Sequence, residues 1–427
     1  MFCALAAFVG LFAALPAHAR IVSEVIVRGA QFIPEEDIRA TCGAETGIEY
    51  LEFELRAIEE CLISTGVFET VTLTRQGDTL FIDVQELNTR PGRIDATLAY
   101  VSQDGITGSL HFERYNLFPQ TYGAVSLEYG AEIQRLGANL YRTEAFGTAL
   151  DFGLELTAGR SQYEDQSFTH ETLRAEGYLV WAPSDRFRLE IGLGFRDHAL
   201  RDVSPGSSAL LAREQTNGIA APFARLSLKH SSLAKSEQEK DTWRQMGYKV
   251  NLHQYVWNIG TSNQIMDTRL EAQLQVPLAP RLRFLIGVEG GTVSGTRGNV
   301  TRTIDRFFPG ADTFRGFAPR GIGPRDGDDF LGGNHFAKAS LELQHEFGKN
   351  SRVPMRVGVF VDTGASWGLD DTLSGAIDDR FYRRSSAGLS LTFDVGKTPV
   401  SLYLAEPFQH EAGDKRQVFG LSVSTRF

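Results

Sequence analysis

The stretch Phe419-Gly420-Leu421-Ser422-Val423-Ser424-Thr425-Arg426-Phe427 decides the fold. Phe419, Leu421, Val423, Thr425 and Phe427 alternate with Gly420, Ser422, Ser424 and Arg426, so an extended strand here has one apolar face and one polar face. The first suits lipid and the second a wet lumen, which is the pattern of a transmembrane barrel strand. A soluble sandwich also alternates, but its strands average about five or six residues.

The same texture, punctuated by Gly, Pro, Asp and Asn, extends back to about residue 90. Sixteen segments fit it: 94–102, 106–114, 122–132, 135–143, 147–158, 170–182, 186–197, 219–230, 244–256, 265–277, 281–294, 336–348, 353–366, 384–394, 398–406 and 416–427. Most are long enough to cross a bilayer at a tilt, and an even count returns the chain to the side it left. The fold class read from this is an all-β transmembrane barrel of sixteen antiparallel strands over 90–427. Trp181, Trp243, Trp257 and Trp367 fall at or beside segment ends, where an aromatic girdle is expected.

Composition agrees with that reading. The 427 residues are 42% hydrophobic and 22% charged, with 43 Gly, 29 Phe and 3 Cys, which excludes a disordered chain, a collagen-like fibre and a small disulfide scaffold. The 43 Lys and Arg sit among 53 Asp and Glu without a basic block, so no nucleic-acid footprint is present. Beyond residue 20 there is no apolar run of about 18 residues, which excludes membrane-spanning helices. A barrel hides its membrane surface in every second residue.

Residues 1–19 have an apolar stretch from Ala4 to Leu15 followed by Pro16-Ala17-His18-Ala19, an A-x-A ending that reads as a secretory signal peptide. Past it, Cys42 and Cys61 remain; in an oxidising compartment they either bridge or serve as two small buried apolar side chains. Residues 20–88 read as a small α+β domain of order strand, helix, helix, strand, strand. Val22 to Arg28 is β-branched and ends at Gly29, and Pro34 before Glu35, Glu36 and Asp37 marks a helix start. Leu51, Leu55, Ile58 and Leu62 line one face of a second helix that Gly66 terminates, and Gln76-Gly77-Asp78 turns a hairpin.

If the first barrel strand rises from a periplasmic domain, the connection after the eleventh strand lies outside the cell. It spans 295–335 and carries Phe314-Arg315-Gly316-Phe317, Gly321-Ile322-Gly323-Pro324-Arg325-Asp326 and Leu331-Gly332-Gly333-Asn334. Its dense Gly with two central Pro argues for a specific folded path. Gly321-Ile322-Gly323 is not a nucleotide-binding turn, because no strand-to-helix context surrounds it.

Phe314-Arg315-Gly316-Phe317 is similar to the sixth-loop signature of the outer-membrane assembly-factor superfamily of BamA and TamA type. Phe360-Val361-Asp362-Thr363-Gly364 resembles the family's Phe-x-Asp-x-Gly strand motif, and Gly420, Val423, Thr425 and Phe427 resemble its barrel terminal signal. The five-element pattern before the barrel resembles one POTRA domain, where BamA-like members usually carry several. The resemblance implies a factor that inserts or translocates other proteins at the bacterial outer membrane, with the POTRA-like domain in the periplasm. It further implies unfolded β-barrel or exported proteins as substrates, and periplasmic chaperones or assembly partners on the POTRA-like domain.

Parity gives the signature a physical role. In the twelfth strand Leu341 and Leu343 alternate with Ser340, Glu342 and Gln344; in the thirteenth Val357, Val359 and Val361 face away from Asp362. Glu342 and Asp362 are thus inward carboxylates on adjacent strands. Arg suits such a pair because its planar fork bonds carboxylates in fixed geometry, so Arg315 is expected to tuck into the lumen and pair with both.

No catalytic, metal-binding or cofactor-binding constellation stands out: the 9 His are dispersed and H-E-x-x-H and G-x-S-x-G are absent. An enzyme is therefore not expected. Three classes remain: an insertase or translocase working through a seam between the first and last strands, a two-partner-secretion-type export pore, and a passive porin. A porin would not carry residues 20–88, and an export pore usually has a helical plug that this chain does not display.

Overall fold

The computed structural model describes residues 21–30, 33–86, 92–101, 104–118, 120–146, 150–215, 218–232, 245–310, 313–347, 355–395 and 398–426. The segment 1–19, Trp243 and Phe427 lie outside them. The chain divides into two compact units, residues 1–92 and 93–427.

The smaller unit has strand β1 (Glu24–Arg28), helices α1 (Glu35–Thr41) and α2 (Glu52–Ser64), and strands β2 (Phe68–Gln76) and β3 (Thr79–Glu86). Its sheet has the order β1-β3-β2, with β1 parallel and β2 antiparallel to β3. The apolar periodicity of α2 faces inward, and Leu55, Ile58 and Leu62 pack with Val25, Val27, Ile38, Leu80 and Ile82 into one core. Cys42, just past α1, is bonded to Cys61 on α2 with a Cα separation of 6.0 Å. Gly29 turns the chain at a φ of 85°, where a Cβ would lie 2.1 Å from the Val84 carbonyl oxygen, so only glycine fits.

The larger unit is a closed antiparallel barrel of sixteen strands. Strands one to eight are Gly92–Val101, Gly105–Phe118, Thr121–Gly130, Ile133–Arg142, Leu150–Ser161, Thr169–Ser184, Phe187–Arg201 and Ile219–Ser231. Strands nine to sixteen are Gly247–Trp257, Ile265–Ala279, Leu282–Gly295, His335–Phe347, Met355–Trp367, Arg384–Val395, Thr398–Gln409 and Phe419–Arg426. Closure pairs the backbone groups that an open sheet would leave bare in hydrocarbon. Leu127, Leu154, Ile191, Leu193, Leu341 and Val359 are exposed on the outer surface, whereas Glu176, Glu190, Arg225 and Asp362 are buried on the inner one. Among the described residues no helix is long and apolar enough to cross a membrane; crossing here is by strands.

Among the described residues the first and sixteenth strands close the barrel through five residue pairs, Thr97 to Val101 against Arg426 to Ser422. Fifteenth and sixteenth strands also share five, against fourteen between the tenth and eleventh.

Two expectations are corrected. The last segment is not one strand from residue 416: Arg416 and Gln417 leave the barrel wall to pair with Gly316 and Phe317, and the wall strand starts at Phe419. Trp181 is exposed on the outer surface, where a girdle residue is expected, but Trp257 is buried inside, stacked on Tyr255 and packed on Phe223. Alternation is the reason, since Tyr255 and Trp257 share the inward face of a strand end that the long loop covers. Trp367 packs between His335 and Phe381.

Candidate functional site

The connection between the eleventh and twelfth strands does not project into solvent. Arg315 forms a two-pronged ion pair with Asp362, Nε to Oδ2 at 3.0 Å and Nη2 to Oδ1 at 2.8 Å. Its Nη1 donates to Glu342 Oε2 at 2.7 Å, and Nη2 also donates to Ser340 Oγ at 3.0 Å. The guanidinium carbon stands 3.4 Å from the Phe360 ring centroid, a close cation–π contact. The structure thus brings Arg315, Glu342 and Asp362 together in the lumen.

Each partner is itself held. Asp362, whose side chain is fully buried, accepts from Ser340 Oγ at 2.6 Å, and Lys338 Nζ lies 3.9 Å away. Glu342 Oε1 accepts from Ser390 Oγ and Gln344 Nε2 at 2.6 and 2.7 Å. The Arg315 backbone is fixed as well, its N–H donating to Asp362 and its carbonyl accepting from Ser386 Oγ at 2.6 Å. Burial opposes the Arg315 charge, but the two carboxylates more than offset it and its pKa lies above the usual arginine value.

The flanking residues explain the signature. Phe314 and Phe317 are fully buried, packed edge to face at 4.9 Å with Ile322 beside them. Gly316 has a φ of 94°, and a Cβ there would lie 3.0 Å from Ser386 Cβ and 3.3 Å from Pro407 Cγ. Gly316 and Phe317 form a two-residue antiparallel ladder with Gln417 and Arg416. The ladder continues as Ala318 N–H to the Lys415 carbonyl and Lys415 N–H to the Gly321 carbonyl, both 2.9 Å.

Further anchors spread over the cap. Asp305 is buried against Arg196 Nη2 at 3.0 Å and His198 Nε2 at 3.3 Å, and Arg196 stacks over Trp257 at 4.0 Å. Burial alone would push the Asp305 carboxyl up; Arg196 and His198 hold it well below the usual range instead. The Thr303 N–H donates to Glu214 at 2.9 Å, and burial raises the Glu214 carboxyl despite the opposing pull of Arg306 and that N–H. Arg320 donates to Asp165 at 2.8 Å, and the Thr301 N–H donates to Asp370 at 2.6 Å.

Parity puts Glu342, Asp362 and Ser340 on the inward face, but it does not reveal that Ser340 and Ser390 donate to the two carboxylates or that Ser386 donates to the Arg315 carbonyl. Arg196 and His198 also fall on the inward face of the seventh strand, a signal present in the sequence though their partner Asp305 is not. Gly420, Val423 and Thr425 lie in the sixteenth strand opposite Tyr403, Val400 and Leu98. A Cβ at Gly420 would fall 2.0 Å from the Tyr403 ring.

A family model described as the Omp85 superfamily domain matches residues 121–427, more than half of the chain. The chain belongs to the Omp85 superfamily. Like its relatives, this Omp85 protein is a barrel of the bacterial outer membrane. It is 23% identical over 379 residues to the outer membrane protein assembly factor BamA of Neorickettsia risticii (strain Illinois), a match covering 86% of this chain and 50% of that protein. To the BamA of Nitratidesulfovibrio vulgaris it is 23% identical over 392 residues, covering 88% and 48%. The chain therefore spans about half the length of the curated relatives it matches. Among solved structures, BamA from Haemophilus ducreyi lacking POTRA domains 1-3 superposes with a TM-score of 0.81 at 18% identity, covering 96% of this Omp85 chain and 85% of that one. CdiB from Escherichia coli superposes at 0.54 with 12% identity, covering 98% and 93%. At such identities these likenesses speak for the fold alone.

Proposed function

We propose that this protein assembles or translocates other proteins at the outer membrane through a lateral seam between its first and sixteenth barrel strands, with the amino-terminal unit in the periplasm. The observation that carries this reading is the ladder of Gly316 and Phe317 with Gln417 and Arg416. It ties the lumen-locked arginine to the residues that lead into the seam strand, whose pairing with the first strand covers five residues among those described. A parted seam offers bare backbone groups that template an incoming strand, and that strand leaves into lipid already hydrogen-bonded. Burial of the substrate in the bilayer supplies the drive. The edge strands β1 and β2 of the small unit offer the same backbone recognition to unfolded β-barrel or exported proteins, and its surface serves periplasmic chaperones or assembly partners.

The test is reconstitution in liposomes with an unfolded outer-membrane protein, scoring the protease-resistant folded product. Folding is expected to outpace that in empty liposomes. Oxidising an Ala99→Cys, Ser424→Cys pair, which lie opposite each other, is expected to abolish the gain, with single-cysteine variants controlling for Cys42 and Cys61. Folding no faster than in empty liposomes, or a lock without effect, overturns the reading.

A further inference from the structure

The outer surface of strands two to six carries a depression that the seam reading does not use. Gly123, Ala138, Ala175 and Gly177 share this face with Leu140 and Leu154 through the registers Gly123 to Leu140, Leu140 to Leu154 and Leu154 to Gly177. Small side chains beside large ones leave an almost wholly apolar groove of about 600 Å³. That volume falls within the roughly 300–1,000 Å³ of ordinary ligand pockets.

One end of the groove is charged. Arg114 lines it and lies opposite Gly123; Arg142 lies opposite Thr121, one outward position further down the third strand. Strand spacing puts their Cα atoms about 12 Å apart, with Gly123 and Thr121 on the strand between them and the Leu117 and Leu140 side chains beside Gly123, so the two long side chains can reach over small and apolar neighbours to one anion. Both arginines are exposed, and neither has an ion pair among the described residues. Within these five strands the one outward acid, Glu171, stands at the opposite end beside Arg160. Rings gather at the arginine end: Trp181 packs on Phe187 at 5.6 Å and Phe146 on Phe152 at 6.2 Å, and Phe152 is the register partner of Arg142. Such rings mark headgroup level. With the small unit in the periplasm, strands two and four descend, so this end meets the inner leaflet.

We propose that this face is a specific site for an anionic phospholipid of the inner leaflet. One acyl chain fills the groove and the phosphate sits between Arg114 and Arg142. A bulk lipid would cover the groove without headgroup preference; the arginine pair supplies that preference.

The experiment is native mass spectrometry of the full chain in detergent micelles doped with phosphatidylglycerol or phosphatidylcholine, reading retained lipid. Wild type is expected to hold phosphatidylglycerol in preference. In Arg114→Gln, Arg142→Gln retention should weaken about thirtyfold, given the strength of a basic side chain near an anionic headgroup. Ala138→Leu, Gly177→Leu should displace the lipid while both arginines remain. Heat-modifiable electrophoretic mobility reports folding of every variant, and the arginine pair alone decides if the filled groove misfolds. Equal retention of the two lipids, or undiminished phosphatidylglycerol on the glutamine variant, overturns the proposal. Because the readout is lipid on the isolated barrel, it stands or falls apart from any assembly activity.

Discussion

Gly316 lies opposite Gln417, one residue after the arginine whose fork is closed on Asp362. A rigid link two residues long therefore connects a salt bridge inside the lumen to the backbone entering the last strand. Displacing Arg315 cannot leave residues 415–417 undisturbed.

Replacing Arg315 with Ala strands the buried carboxylates of Asp362 and Glu342 without their counter-ion. Breaking a buried pair this way costs about 3–5 kcal/mol. Loop residues 296–334 should become cleavable by external protease in intact cells, with the proposed gain in substrate folding in liposomes falling in step. Arg315→Lys keeps the charge but not the fork, so an intermediate phenotype is expected. Protection equal to wild type in the Ala variant would count against the pairing.

Gly316→Val should undock the loop although every charge remains, since the residue must adopt a left-handed φ and push against Ser386 and Pro407. Strain of this kind costs about 1–3 kcal/mol. Hydrogen exchange at residues 415–417 should rise with it, while the N–H groups of the tenth and eleventh strands stay protected.

Acid should loosen the cap. Asp305 has a folded-state pKa below its unfolded value, so its contribution is complete above about pH 4 and is lost as pH falls toward the folded value. Glu214 has the opposite sign: its pKa is raised, so its contribution is present at low pH and fades as pH climbs through the folded value. Glu214 therefore works against loosening from pH 6 down to about pH 4, and proteolysis of the loop should accelerate in wild type only as pH falls from about 4 toward 2, read with an acid-active protease. In Asp305→Asn the acid-dependent part should vanish, and an unchanged pH profile in that variant would refute the assignment.

Removing the Cys42–Cys61 bond frees a chain segment with a sequence separation of 19. Loop-closure entropy puts the loss at about 3 kcal/mol. In the full chain, Cys42→Ser with Cys61→Ser should raise hydrogen exchange across residues 21–86 and leave the barrel's mobility on gels unchanged, because the small unit has its own core.

Barrel strands are legible in sequence because one-residue alternation is a local property: Leu341 against Glu342 states which way each points without knowing the neighbour. Arg315 is legible for a related reason, as an arginine beside glycine and two phenylalanines with two inward carboxylates waiting on adjacent strands. What alternation misses is set by distant partners. Helix Ala209–Gln215 forms because Leu210 and Leu211 bury against Leu331 and Ile377, and no period in residues 202–218 announces it. Alternation turns Trp257 inward, but that Arg196, Phe223 and the loop residue Phe307 cover this strand end is set by distant partners, and Arg416 and Gln417 leave the wall because the signature glycine provides a partner ladder.

The bonds of the long loop also set an order of events for the protein's own making. Ser167 bonds Asp329 across 162 positions and Arg320 bonds Asp165 across 155, while the ladder partners Arg416 and Gln417 lie far downstream of Gly316 and Phe317. Chain-closure entropy of such contacts is met only after their neighbours are in place. Arg315 can close its fork on Glu342 and Asp362 only where the twelfth and thirteenth strands already stand side by side, so its locked position reports that this part of the wall is paired.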